Sequence, residues 1–286
     1  MNENNGKIIQ WYPGHMEKTK RQIKELSPLI DFVLELVDSR IPYSSKVVGI
    51  ESLIKNKPKI LVMTKRDLCD KKETEKWIEY YKNKGDIVLT VNLMNNDDYK
   101  KILDEIDILS DKINDARLKK GLKPKTVRGL VIGIPNVGKS TLINRLANKK
   151  IAGVGNIPGF TKSLSWIKTE KAMLLDSPGI LWPKFEKEEV ALNLASMSAI
   201  KTDILPVDDV AVHILQKLDE FYPEKLKERF GLETLTDDYE YNYDVIGKKI
   251  GAMIKGGEVD YNRVSLFIIN DIKNENIKEI TFDRCE

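Results

Sequence analysis

At 286 residues, with 41% hydrophobic and 32% charged side chains and a formal net charge of +3, the composition is that of a folded chain long enough for two domains, and it excludes a largely disordered or collagenous one. No apolar run approaches the roughly 18 residues that span a bilayer, and Met1 to Gln10 is polar where a signal peptide would be apolar, so a cytoplasmic location is expected. Cys69 and Cys285 lie far apart with no His or Cys at metal-ligand spacing, so neither a disulfide framework nor a zinc site is expected.

In chain order, Glu17 to Leu26 reads as a short basic helix, and Asp31 to Val37 (DFVLELV) fits a strand, although the same run could form a buried helix. Lys59 to Met63 is a compact apolar run, Asp70 to Lys84 looks helical, and Asp86 to Val91 is again strand-like. Tyr99 to Leu118 carries Ile102, Leu103, Ile106, Leu109 and Ile113 at the spacing of an amphipathic helix. A basic connector follows, with Lys119, Lys120, Lys123 and Lys125 between Arg117 and Arg128 and no acid among them; it is either a solvated linker or a patch that contacts phosphate. Strand-like Gly129 to Ile134, helical Lys139 to Leu146, a glycine-rich loop, and strand-like Leu164 to Lys168 and Ala172 to Leu175 complete an alternation that implies a mostly parallel α/β sheet with helices on both faces. From about Trp182 helical patterns take over, as in Val207 to Leu218 and Tyr261 to Ile272, so an α/β domain over 1–181 and a small helical domain over 182–286 are expected.

Gly133 to Ser140 (GIPNVGKS) satisfies G-x-x-x-x-G-K-[ST] between a strand-like and a helix-like run. In such a loop backbone N–H groups, here of Asn136, Val137, Gly138 and the residues up to Thr141, converge on phosphate oxygens. Lys139 reaches the β- and γ-phosphates, and Ser140 offers its hydroxyl to magnesium. Asp176-Ser177-Pro178-Gly179 ends a strand at the same edge, where Asp176 can hold magnesium and the Gly179 amide can sense the γ-phosphate. Thr161, in the loop between these motifs, is the candidate to complete the metal shell when a γ-phosphate is bound.

Thr64-Lys65-Arg66-Asp67 resembles the N/T-K-x-D element of guanine-nucleotide proteins. Asp67 could accept from N1–H and the 2-amino group of guanine, donors adenine lacks, while the Lys65 stem covers the ring. In Ras-like proteins this element follows the phosphate loop. Here it precedes it, so the order is circularly permuted, and Thr90-Val91-Asn92 would stand where a backbone N–H meets the guanine O6.

The chain as a whole resembles the ribosome biogenesis GTPase A family of circularly permuted, TRAFAC-class GTPases, through WYPGHM (Trp11 to Met16), VDSRIP (Val37 to Pro42), TKRD, GIPNVGKS, IPGFTKS, DSPGI and GGEVDYNR in that family's order. The resemblance implies a P-loop GTPase that binds GTP or GDP with Mg²⁺ and assists late assembly of the large ribosomal subunit, with hydrolysis stimulated by the particle. It implies that the helical domain contacts ribosomal RNA, with Lys248, Lys249, Lys255 and Arg263 as its cations, and neither membrane nor DNA is expected as a partner; a monomer is expected. Ile180 stands where Ras-like enzymes carry a water-orienting glutamine, and the resemblance assigns that part to His15. Asn136 matches an asparagine that coordinates potassium in potassium-activated relatives. Two departures stand out. Thr64 replaces the asparagine that ties the base loop to the phosphate loop, and Thr90-Val91-Asn92 lacks the usual Ser-Ala pair. A binding module gated by GTP without turnover, and a small-subunit assembly GTPase, are the competing readings.

Overall fold

In the computed structural model, residues 14–49, 54, 57–146, 165–169, 172–179, 187–200 and 204–285 are described. Helix α1 (Gly14–Leu26) precedes β1 (Phe32–Asp38), β2 (Lys59–Thr64), α2 (Lys71–Asn83), β3 (Ile87–Thr90), α3 (Asn96–Leu118), β4 (Val127–Gly133), α4 (Lys139–Leu146), β5 (Ser165–Lys168) and β6 (Ala172–Asp176). The helical part comprises α5 (Glu188–Ser196), α6 (Val207–Phe221), α7 (Pro223–Phe230), α8 (Tyr239–Ile250) and α9 (Tyr261–Lys273).

The six strands lie in the order β3-β2-β1-β4-β6-β5. All neighbours are parallel except the edge pair β5 and β6. The ambiguous run becomes strand β1 from Phe32 onward, and Phe32–Asp38 are all buried because the strand sits at the centre of a sheet covered on both faces. The charge in its middle, Glu35, is neutralised by Lys46 at 2.7 Å and Lys59 at 3.3 Å. Strand β4 approaches β1 closely at Gly129, where a Cβ would fall 2.4 Å from the Phe32 ring.

Helix α3 begins at Asn96, one turn before the apolar stripe, because the Asn95 side chain accepts from the amides of Asp97 and Asp98. Helices α5, α7 and α8 are shorter than α6 and α9. Their ends are set locally: Asp238 caps α8, and Gly231 and Gly251 close α7 and α8 in left-handed conformation. One buried apolar cluster runs from Phe32 and Leu34 of the sheet to Leu215 of α6 and Ile268 of α9, so the helical layer packs directly on the sheet's core. The C-terminal segment also returns to the sheet. Ile280 N–H donates to the Leu68 carbonyl and Phe282 N–H to that of Arg40, while the Asp283 carboxylate accepts from the amides of Tyr43 and Ser44.

Candidate functional site

Because the sheet turns outward from β1 in both directions, β1 to β3 on one side and β4 to β6 on the other, the crevice lies at the carboxyl ends of its central strands. A cavity of about 240 Å³ opens at that rim. The loop after β2 contributes Thr64, Lys65 and Asp67, the loop after β3 contributes Asn92, Leu93 and Met94, and the loop after β4 contributes Asn136, Val137, Gly138 and Thr141. The permuted base and phosphate motifs therefore share one cavity wall.

At the base end Lys65 adopts left-handed φ, +58°, and its Nζ meets the Asp38 carboxylate at 2.9 Å, which lays its stem along the wall. Burial by itself would raise the Asp38 carboxyl, but the Arg40 and Lys65 cations hold it far below the usual carboxylate range. Asp67 lies exposed at the cavity and makes no hydrogen bond or ion pair among the described residues. The Thr64 hydroxyl lies 2.8 Å from the Val137 carbonyl and 3.0 Å from that of Val37. Its single proton serves one acceptor at a time, and the nearer one belongs to the phosphate loop. Threonine therefore makes the tie between the two loops that a longer asparagine makes elsewhere, since the backbones are already within reach of a short side chain. Thr64→Val, which keeps the shape and removes the hydroxyl, is expected to lower stability by about 1–2 kcal/mol. Urea unfolding measures this, and an unchanged midpoint would show that the hydroxyl carries no tie.

The wall after β3 is built differently from the expectation. Thr90 and Val91 do not line the cavity, the Val91 N–H donates to the Met63 carbonyl at 2.8 Å, and the Asn92 N–H donates to Asp98 at 2.8 Å. Leu93 is the next amide along the wall. Arg145 of α4 fixes this loop by donating to the Leu93 carbonyl and to the Asn96 side chain, with its guanidinium over the Tyr99 ring. Nothing in the spacing of the motifs marks Arg145; its part follows from α4 packing beside α3.

At the phosphate end Gly138 has φ +102°, and a Cβ there would lie 2.7 Å from Leu93, so glycine alone fits. Gly179 packs so closely on the loop that a Cβ would lie 2.8 Å from the Pro135 nitrogen. Buried Lys139 donates from Nζ to the Ile134 carbonyl at 2.6 Å, and burial lowers its pKa to about 8 against the pull of Asp176. Asp176 is buried too. Burial raises it to about 6, opposed by Lys139 and the Ser177 amide, and its Oδ1 has no hydrogen-bond partner among the described residues. A desolvated carboxylate oxygen without a partner among the described residues, near the first turn of α4 that carries Ser140, suits a divalent cation.

His15 lies in the first turn of α1, but its side chain is outside the described residues. Thr161 and Ile180 are also outside them. Asn136, with φ +59°, donates from Nδ2 to the Ser198 carbonyl at 2.6 Å. Ser198 belongs to a wall the motifs do not announce: Met197, Ser198, Ile272, Lys273 and Glu275 all come from the helical layer.

Comparison with known proteins places this geometry. Residues 128–235 match the family described as 50S ribosome-binding GTPase. Along almost its full length the chain is similar to proteins named ribosome biogenesis GTPase A. That of Bacillus licheniformis is 45% identical over 98% of this chain and 99% of its own, and that of Bacillus cereus 44% identical over 98% and 95%. That of Thermotoga maritima is 31% identical over 97% and 95%. The fold matches that of GNP-bound YlqF from T. maritima with a TM-score of 0.67 at 24% identity, covering 93% of this chain and 98% of that one.

Proposed function

The chain belongs to the ribosome biogenesis GTPase A family, a GTPase acting in ribosome assembly, and from that premise we propose that it assists late assembly of the large ribosomal subunit, hydrolysing GTP when the particle stimulates it. The observation that carries this reading is the single cavity lined by both Asp67 and the Asn136–Thr141 loop. The match to a family described as binding the 50S particle favours the large subunit over the small one.

In this reading Asp67 and the Lys65 stem take the guanine, and Lys139 leaves the Ile134 carbonyl for the β- and γ-phosphates. Ser140, Asp176 and Thr161 would hold Mg²⁺, and a divalent cation there would supply neutralisation of charge on the phosphates. His15 positions the attacking water, and Asn136 would hold a potassium ion, whose charge would support the phosphates. We assign 1–181 to the nucleotide unit and 182–286 to the helical unit, supported by the last strand ending at Asp176 and the next helix starting at Glu188. The exposed Lys248, Lys249, Lys255 and Arg263 of the helical unit contact ribosomal RNA in a salt-sensitive way. Among the described residues no helix is long and apolar enough to cross a membrane, and we assign the chain to the cytoplasm, working on this partner as a monomer.

Phosphate release measured with purified large or small subunits, in potassium or sodium salt, tests the proposal. The large subunit is expected to raise turnover by roughly 10²-fold or more, with potassium the faster salt. His15→Ala is expected to remove roughly 10²-fold of that turnover while GTP binding survives. Stimulation by the small subunit alone, or none by either, would overturn the assignment.

A further inference from the structure

Five non-glycine residues among those described have left-handed φ, and four of them line the cavity: Lys65 at +58°, Asn136 at +59°, Ser198 at +57° and Glu275 at +61°. Such backbone is disfavoured for residues with a Cβ, and it concentrates where a ligand is clamped. Two of the four come from the sheet's loops, whereas Ser198 and Glu275 come from the helical layer. Glu275 stands just beyond the end of α9, in a turn fixed on both sides. Asn276 bonds back to Asp271 through its amide at 2.9 Å and its side chain at 2.8 Å, and the following segment is stitched to Leu68 and Arg40. The Glu275 carboxylate is exposed, makes no hydrogen bond among the described residues, and lies near enough to Arg40 and Lys65 for its charge to support both cations. That neighbourhood puts it at the base end of the cavity, away from Lys139.

A carboxylate only accepts hydrogen bonds. A guanine nucleotide offers few donors: N1–H and the 2-amino group on the base, and the two ribose hydroxyls. Phosphates, O6 and N7 offer none. Asp67 takes the base donors, which leaves the ribose. We propose that Glu275 is a nucleotide-binding residue that accepts from the ribose hydroxyls, so that the helical unit completes the sugar side of the GTP site. This rests on the cavity being the GTP site.

Equilibrium binding of GTP and of 2′,3′-dideoxy-GTP to the full chain, wild type and variants, tests it. The wild type is expected to prefer GTP by roughly tenfold, the worth of one such hydrogen bond. Glu275→Ala is expected to lose that preference by weakening GTP while leaving the dideoxy analogue unchanged. Glu275→Gly, which suits left-handed backbone, is expected to lose the preference equally while melting no lower than wild type, which separates the carboxylate from the turn. Equal weakening of both nucleotides, or unchanged preference in both variants, would overturn the proposal. Asp67→Asn run alongside isolates the premise: if it leaves GTP binding intact, the cavity is not the GTP site, whereas if it weakens GTP and Glu275→Ala does not, only the ribose assignment fails.

Discussion

Asp67→Asn is expected to weaken GTP binding by about 10²- to 10³-fold and to make xanthosine triphosphate the better ligand. The loss follows from the charge of the acceptor, since hydrogen bonds to an ionised partner contribute about 1.5–3 kcal/mol each and Asp67 is assigned two of them. The gain follows from donor geometry. Xanthine keeps N1–H but carries a carbonyl where guanine has its 2-amino group, and asparagine accepts from the first while donating to the second. The loop that presents Asp67 does not depend on its carboxylate, because the Leu68 amide bonds the Lys65 carbonyl at 2.9 Å and Arg66 N–H donates to Val91 at 3.2 Å. Stability should thus change by no more than about 0.5 kcal/mol, the usual range for an exposed side chain. Competition between the two triphosphates for one labelled nucleotide measures the switch. Unaltered preference for GTP would remove Asp67 from the base site.

The phosphate motif and the strands that carry the two motifs were legible in the sequence because both are local. GIPNVGKS needs only its glycines and its place between a strand and a helix, and KILVM and DFVLELV are mostly apolar runs because parallel central strands are buried on both faces, although the second reads equally as a buried helix. What the sequence concealed arises from distant segments meeting. Ser198 and Glu275 reach the cavity only because α5 and α9 pack across the sheet's rim, and neither sits in a recognisable motif. Thr64 looks like the loss of a tie when read against an asparagine. Its 2.8 Å approach to Val137 depends on the spacing of β2 and β4 across β1, which no local pattern encodes. The same holds for Asn92, whose amide is taken by Asp98 in the first turn of α3, so the wall after β3 shifts toward Leu93.

Asp176→Asn is expected to make the nucleotide-free protein more stable and the enzyme nearly inactive, two effects with one cause. The carboxyl's pKa rises from 3.8 in the unfolded chain to about 6 in the folded one because it is buried, the attraction of Lys139 offsetting only part of that burial. A carboxyl with a higher pKa when folded favours folding only while protonated. Its penalty is therefore absent below about pH 4, complete above about pH 6, and on the order of 3 kcal/mol at about 1.36 kcal/mol per unit. Asparagine removes that penalty but also removes the negative charge that supports Lys139, itself buried and lowered to about 8, so a net gain of about 1–2 kcal/mol is expected at pH 8. For a chain of this size that is a rise of about 2–6 °C in Tm, fading toward pH 4, where Asp176 is already neutral. Turnover should fall by roughly 10²- to 10³-fold, because the desolvated charge that destabilises the fold is the one assigned above to the cation. Melting curves at pH 8 and pH 4, read beside phosphate release, decide the matter: a variant that hydrolyses GTP normally, or that melts no higher than wild type at pH 8, would separate Asp176 from the role its burial gives it.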